Sequence, residues 1–204
     1  MKAIVIDDHP MARLAIKMLL ENSGFSVIKE LEDGEFAILT VESTNPDLVV
    51  IDIDIPIVNG MEILERLRKR GYEGIIIVVS SKNERFYSRR SSEAGASGFV
   101  SKKEGLSNLM GAVTAAQNGY SYFPLFLGQY IGKRSSDEER LDSLSLQEFN
   151  VLLYILQGVD NNKIADKMKL SNKTVSTYKK RLLEKLDCNS LIELFAFSKD
   201  NNIG

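Results

Sequence analysis

The sequence predicts two folded domains in tandem, an α/β domain on a doubly wound parallel sheet followed by a smaller all-α domain. Three observations carry this. Short β-branched runs alternate with amphipathic helical patterns through residues 1–120. From Ser145 onward the apolar spacing is helical throughout. Between them, residues 121–142 contain Pro124, two glycines and a polar stretch, the composition of a linker. At 204 residues the chain can bury a core in each part, with the second domain over 143–204.

The expected strands are 2–6, 25–30, 47–51, 74–79 and 98–100. The expected helices are 10–22, 34–43, 60–70, 84–94 and 106–117. Strands that are apolar on consecutive positions belong to a sheet covered on both faces, and their alternation with helices makes that sheet parallel. In such sheets ligands bind beyond the carboxyl ends of the strands, where strand order reverses. After the linker, which has some helical character near 137–141, Ser145 and Glu148 form a capping box for a helix ending at Gly158. A short helix over 161–168, a tight turn, and a longer helix over 173–186 capped by Ser171 form a helix-turn-helix. A last helix begins at Ser190.

Composition narrows the class of function. Hydrophobic residues at 44% and charged residues at 26% describe an ordinary globular chain. The apolar runs are strand-sized, so no membrane insertion is expected, and no signal peptide is visible. The single cysteine, Cys188, cannot form an internal disulfide and has no metal-ligand spacing around it; these features together favour the cytoplasm. Charge is unevenly spread: residues 1–122 carry −3, residues 143–204 carry +2, and 163–185 alone carries +6. A basic cluster of that density suits nucleic acid, although a solvated helix face would also display it.

The acidic residues fall at strand ends. Asp7 and Asp8 follow the first strand and Asp52 ends the third. Converging carboxylates repel one another unless a cation intervenes, and oxygen ligands at a partly hydrated site suit Mg²⁺. The simpler reading is that Asp7 and Asp8 cap the first helix, where negative charge suits the dipole. Ser80 ends the fourth strand and Lys102 follows the fifth, so a hydroxyl and an ammonium share the carboxylates' edge. Such a set suits transfer and retention of a phosphoryl group. His9, the only histidine, fits a residue at a helix start better than a phosphate donor.

The quintet Asp7, Asp8, Asp52, Ser80 and Lys102, with Pro56 and Asn59-Gly60, resembles the receiver domain of two-component signalling over residues 1 to about 120. The resemblance implies a flavodoxin-like (βα)5 fold in which Asp52 accepts phosphate from a phosphohistidine. It implies Mg²⁺ held by Asp7, Asp8, Asp52 and the backbone carbonyl of Asp54, with Lys102 and Ser80 contacting the phosphoryl oxygens and Phe99 as an aromatic switch. Ser80 replaces the commoner threonine, and Lys103 stands where many receivers have proline. Asp52-x-Asp54 also invites comparison with haloacid-dehalogenase phosphatases, which place that pair on the first strand rather than the third.

In the second domain, Val175, Tyr178, Leu182 and Leu186 recur at helical spacing and define an inward face. Ser176, Thr177, Lys180 and Arg181 project elsewhere and could reach base edges, while Lys173, Thr174 and Lys179 suit phosphate contacts. Leu144-Ser145, Glu148, Gly158, 162–165 and 170–175 resemble the four-helix LuxR-type helix-turn-helix domain of NarL/FixJ response regulators. That resemblance implies a transcription regulator and not an enzyme. Its implied partners are promoter DNA, a cognate sensor histidine kinase or its phosphotransfer domain, and a second copy in a homodimer on activation, with a contact near 187–191. A signalling adaptor whose helices bind protein instead of DNA is the rival reading.

Overall fold

The computed structural model describes residues 1–125 and 136–204, and the chain divides into two compact units, Met1–Leu125 and Phe126–Gly204. In the first, β1 (Lys2–Ile6), β2 (Ser26–Leu31), β3 (Leu48–Asp52), β4 (Ile75–Ser80) and β5 (Gly98–Ser101) form one parallel sheet in the order β2-β1-β3-β4-β5. Helices α1 (Pro10–Asn22), α2 (Ala37–Thr44), α3 (Gly60–Lys69), α4 (Glu84–Glu93) and α5 (Leu109–Gln117) connect and follow the strands. Every residue of β3 is buried, which is why its sequence is apolar without alternation. Strand order reverses between β1 and β3, opening a crevice at their carboxyl ends.

Local chemistry sets the helix starts. Pro10 opens α1 at a position where a missing N–H costs nothing. Asn59 and Asn83 cap α3 and α4 through side-chain oxygens that accept from Glu62 N and Phe86 N. Two helices begin three residues later than their sequence pattern suggests. Gly34 N donates to Pro56 O, and Asp33 Oδ1 accepts from Glu35 N, so this stretch turns before α2 begins at Ala37. Before α5, Gly105 adopts φ +79° and Leu109 N donates to Leu106 O, which leaves 106–108 in a turn.

The chain leaving α5 does not depart at once from the sheet. Tyr122 pairs in parallel with Gly98 on the free edge of β5: Tyr122 N donates to Ser97 O at 3.0 Å and Phe99 N donates to Tyr122 O at 2.8 Å. Gly98 permits this approach, since a Cβ there would stand 2.9 Å from Tyr122 O. Pro124 has no N–H to extend the ladder.

The second unit comprises α6 (Ser136–Asp142), α7 (Leu146–Leu156), α8 (Asn161–Met168), α9 (Asn172–Leu186) and α10 (Leu191–Asp200). Helix α6 falls within the stretch whose composition reads as linker; it is amphipathic only through Leu141, which is buried with Leu144. The sequence shows α7 as a striped helix, but residues 148–155 are buried without interruption, so it is the central helix of the bundle. Gly158, Lys169 and Asp187 adopt left-handed conformations just after α7, α8 and α9.

The capping box of α7 is doubled by a cation. Glu148 Oε2 accepts from Ser145 N at 2.7 Å and lies 2.7 Å from Lys185 Nζ of α9, while Glu148 N donates to Ser145 Oγ. Burial alone would raise the carboxyl's pKa, but the bonds from Lys185 and Ser145 outweigh it and hold the group below its ordinary value. A carboxylate with a depressed folded-state pKa stabilises above its unfolded pKa, and this contribution disappears as pH falls through the folded value. Glu148→Gln should therefore cost about 1–3 kcal/mol at neutral pH and flatten the acid limb of stability below the ordinary glutamate range. Thermal melts of both proteins across that limb check this, and parallel curves would refute it.

Candidate functional site

The sheet register brings the predicted residues together. Ile6 pairs with Ile51, so Asp7 and Asp52 emerge side by side at the crevice, and both are buried. Asp52 is level with Val79, and Ser80 with Ser101, which places the Ser80 hydroxyl and the Lys102 ammonium one step further along the same rim. Lys102 Nζ donates to Asp52 Oδ2 at 2.6 Å and stands 2.7 Å from Asp7 Oδ2. Burial pulls the Lys102 pKa down, but Asp52 and Asp7 outweigh it, and the net shift is upward. For Asp52, burial is the larger influence and raises the carboxyl's pKa despite Lys102.

Around this core, Ser80 is buried and its Oγ accepts from Lys82 N at 3.1 Å. Asp54 N points back to Asp52 Oδ1 at 3.4 Å, and the exposed Asp54 carboxylate pairs with Lys82 Nζ at 2.9 Å. Phe99, opposite Val78 in the register, is wholly buried, so its ring lies inside rather than on the surface. Sequence reasoning overlooked Lys82 and underweighted His9. Lys82 carries a faint signal, a cation two residues beyond the strand-end hydroxyl. His9 turns its Nδ1 to 2.6 Å from Asp8 Oδ1.

The donor set fits a hard divalent cation. Among the described residues, single ligand atoms of Asp7, Asp8, His9 and Asp52 all lie within 4.8 Å of one another. Asp7 Oδ2 and Asp8 Oδ1 are buried with no aligned hydrogen bond; Lys102 and His9 supply nearby nitrogens without that alignment. Buried carboxylate oxygens in that condition are stabilised by a cation.

In the second unit, Ser171 Oγ accepts from Thr174 N and starts α9 one residue earlier than the sequence pattern, at Asn172. Val175, Leu182 and Leu186 are buried, as the inward face requires, and Tyr178 is half-buried. Lys173, Ser176, Thr177, Lys180 and Arg181 are exposed; Thr174 and Lys179 are partly covered. Thr174 Oγ1 shares a 2.7 Å hydrogen bond with Ser171, and Thr177 Oγ1 donates to Lys173 O, so neither hydroxyl is idle. Lys180 Nζ has Glu184 at 3.7 Å, a weak exposed pair.

An acidic rim that also carries a hydroxyl and an ammonium on one unit, and a basic helix on the other, define a response regulator with a DNA-binding output. The model of the response regulator receiver domain matches residues 3–114, and that of bacterial regulatory proteins of the luxR family matches 142–198. The chain belongs to the LuxR-type (NarL/FixJ) response regulators. It is 55% identical to the DNA-binding transcriptional activator EvgA of Escherichia coli K12 over 204 residues, covering 100% of both chains. It is 41% identical to BvgA of Bordetella pertussis, covering 99% of this chain and 98% of that one. Among solved structures, RcsB of Salmonella enterica serovar Typhimurium bound to promoter rprA with the phosphomimetic BeF3⁻ matches with a TM-score of 0.78 at 25% identity, covering 98% of each chain. Two RcsB dimers bound to two parallel DNAs match with a TM-score of 0.61, at the same identity and coverage.

Proposed function

We propose that this protein is a cytoplasmic transcription regulator that takes a phosphoryl group at Asp52 and thereby binds promoter DNA as a homodimer. The observation that carries this reading is Lys102, whose ammonium lies within 2.7 Å of both Asp7 and Asp52. Asp52 attacks the phosphorus of a phosphohistidine on a sensor kinase or its phosphotransfer domain. A P–O bond forms, the P–N bond breaks, and the electron pair returns to the imidazole. Asp7, Asp8, Asp52 and the carbonyl of Asp54 would hold Mg²⁺, which neutralises charge on the transferring group. Lys102 moves from the carboxylate to the phosphoryl oxygens, and the Ser80 hydroxyl exchanges its Lys82 bond for one to the same group. A new dianion among donors of this kind biases a two-state face, here β5 with Phe99.

In this reading residues 1–120 receive the phosphoryl group, 121–142 connect, and 143–204 bind DNA. Pairing two heads raises affinity through effective concentration without a new base contact. The relatives' names speak for a DNA-binding regulator over a phosphatase or a protein-binding adaptor. Labelling with acetyl phosphate in Mg²⁺, followed by sizing and footprinting, tests the whole chain of events. Steady hydrolysis of phosphate esters without a stable phosphoprotein would defeat it.

Two substitutions on α9 separate reading from anchoring. Lys180→Ala should relax sequence preference, costing about 1–3 kcal/mol on the cognate site and less elsewhere. Lys179→Ala should weaken specific and non-specific DNA alike and lower the salt slope by about 1. Competition binding at several salt concentrations decides; identical loss of specificity in both would refute the assignment of faces.

A further inference from the structure

The imidazole of His9 has no part in the chemistry above. His9 occupies the N-cap of α1, yet its side chain makes no capping bond. Its Nδ1 faces the acidic pocket instead, 2.6 Å from Asp8 Oδ1, 3.6 Å from Asp7 Oδ1 and 4.0 Å from Asp52 Oδ2. Atoms bound to one ion at about 2.0–2.2 Å lie roughly 3–4.4 Å apart, and the four candidate ligands already sit within 4.8 Å of one another. Asp8 Oδ1 is buried and faces His9 Nδ1 without an aligned hydrogen bond, and Asp7 Oδ2 stands likewise before Lys102. Both oxygens are placed to gain from a metal ion.

We propose that His9 turns the acidic pocket into a site for a divalent transition ion, Zn²⁺ foremost, with Asp7, Asp8 and Asp52 as the other ligands. Mg²⁺ prefers oxygen and retains water, so the imidazole adds nothing for it. Zn²⁺ accepts nitrogen and carboxylate ligands in a four-coordinate shell, and imidazole strengthens its hold over that of Mg²⁺. The consequence for signalling, which rests on Asp52 being the phospho-acceptor, is competition. Zn²⁺ held by four protein ligands displaces Mg²⁺ and leaves no open position for a phosphoryl oxygen, so the metal blocks phosphorylation.

Isothermal titration of the full, untagged chain and of His9→Asn with ZnCl₂, and separately with MgCl₂, tests this. Asparagine is a favoured N-cap, so the start of α1 is preserved. Zn²⁺ affinity should fall at least about tenfold in the variant while Mg²⁺ affinity changes by less than about twofold. With a single histidine in the chain, the ring resonances are unambiguous, and one equivalent of Zn²⁺ should shift them. Equal Zn²⁺ affinities, a parallel fall for Mg²⁺, or unmoved ring resonances would overturn the proposal. Labelling by acetyl phosphate in Mg²⁺ should be suppressed by less Zn²⁺ in the wild type than in His9→Asn; equal suppression would sink the competitive role. If the wild type takes up no phosphate even without Zn²⁺, the phosphorylation reading fails, while the titrations still decide the metal site.

Discussion

Asp52→Asn protein will melt at or above the wild-type temperature yet take up no phosphoryl group, and its promoter affinity will not respond to a phosphodonor. The first half follows from burial. Asp52 has its pKa raised chiefly by desolvation. An acid with a raised folded-state pKa binds protons more readily when folded. Its ionisation therefore costs stability as pH rises from the unfolded value through the folded one, and that cost is fully present above the folded value. Asparagine has the same shape and no charge to desolvate, and Lys102 keeps Asp7 as a partner. The second half follows from chemistry, because the amide offers no nucleophilic oxygen able to form an acyl phosphate. Wild-type affinity should rise on the order of 10² with phosphodonor, as expected when two heads bind together; the variant should show no rise. Melting curves, phosphoprotein gels and promoter titrations check each part. A phosphodonor response retained in the variant would remove Asp52 from the mechanism.

The other large effect is expected at Gly60, the first residue of α3. It is buried, its N–H donates to Ile53 O at 2.9 Å, and a Cβ there would collide with the backbone carbonyl of Asp52. The obstacle is main chain at the end of a central strand, so no rotamer change relieves it. Gly60→Ala should cost about 3 kcal/mol, which for a domain of this size lowers the melting temperature by roughly 10–15 °C. Displacing β3 also moves the nucleophile, and a misplacement of about 1 Å can slow the reaction on the order of 10²-fold. Gly111→Ala is the matched control. Gly111 lies inside α5 with Tyr122 no nearer than 3.9 Å to the added methyl, so alanine should be neutral or stabilising by about 0.5–1 kcal/mol. Calorimetry and acetyl-phosphate labelling rates compare the two. Equal melting temperatures would mean that the α3–β3 contact is softer than it looks.

Most of the site was visible in the sequence because its parts are punctuated by local rules. Asp7, Asp52, Ser80 and Lys102 each follow or end a short apolar run, so the strand pattern itself orders them along one rim. The caps at Asn59, Ser145 and Ser171 and the inward stripe of α9 are likewise short-range chemistry, settled by residues three or four apart. Less was visible where a segment gains its structure from something distant. Composition marks 121–142 as linker, yet Tyr122 is held by β5 and Leu141 is buried with the helical bundle. β5, which holds Tyr122, and the end of α9, to which α6 is tied through Arg140 and Asp187, are both distant in sequence. The stripe on α7 misled in the same way, because a helix at the centre of a bundle buries its polar side too, provided groups such as Glu148 are bonded.

The order of strands and helices, the acidic, hydroxyl and ammonium groups at the strand ends, and the basic helix after the turn were therefore determined by the amino-acid sequence alone. They depend on periodicity and on capping within one or two turns of chain. Which of those groups touch was decided only by tertiary structure. Lys102 bridges Asp7 and Asp52, Lys82 meets Asp54, and His9 leans over the carboxylates because parallel register sets strand ends at one level and closely spaced loops do the rest. Contacts between residues fifty positions apart have no period to betray them; they exist once the sheet has closed.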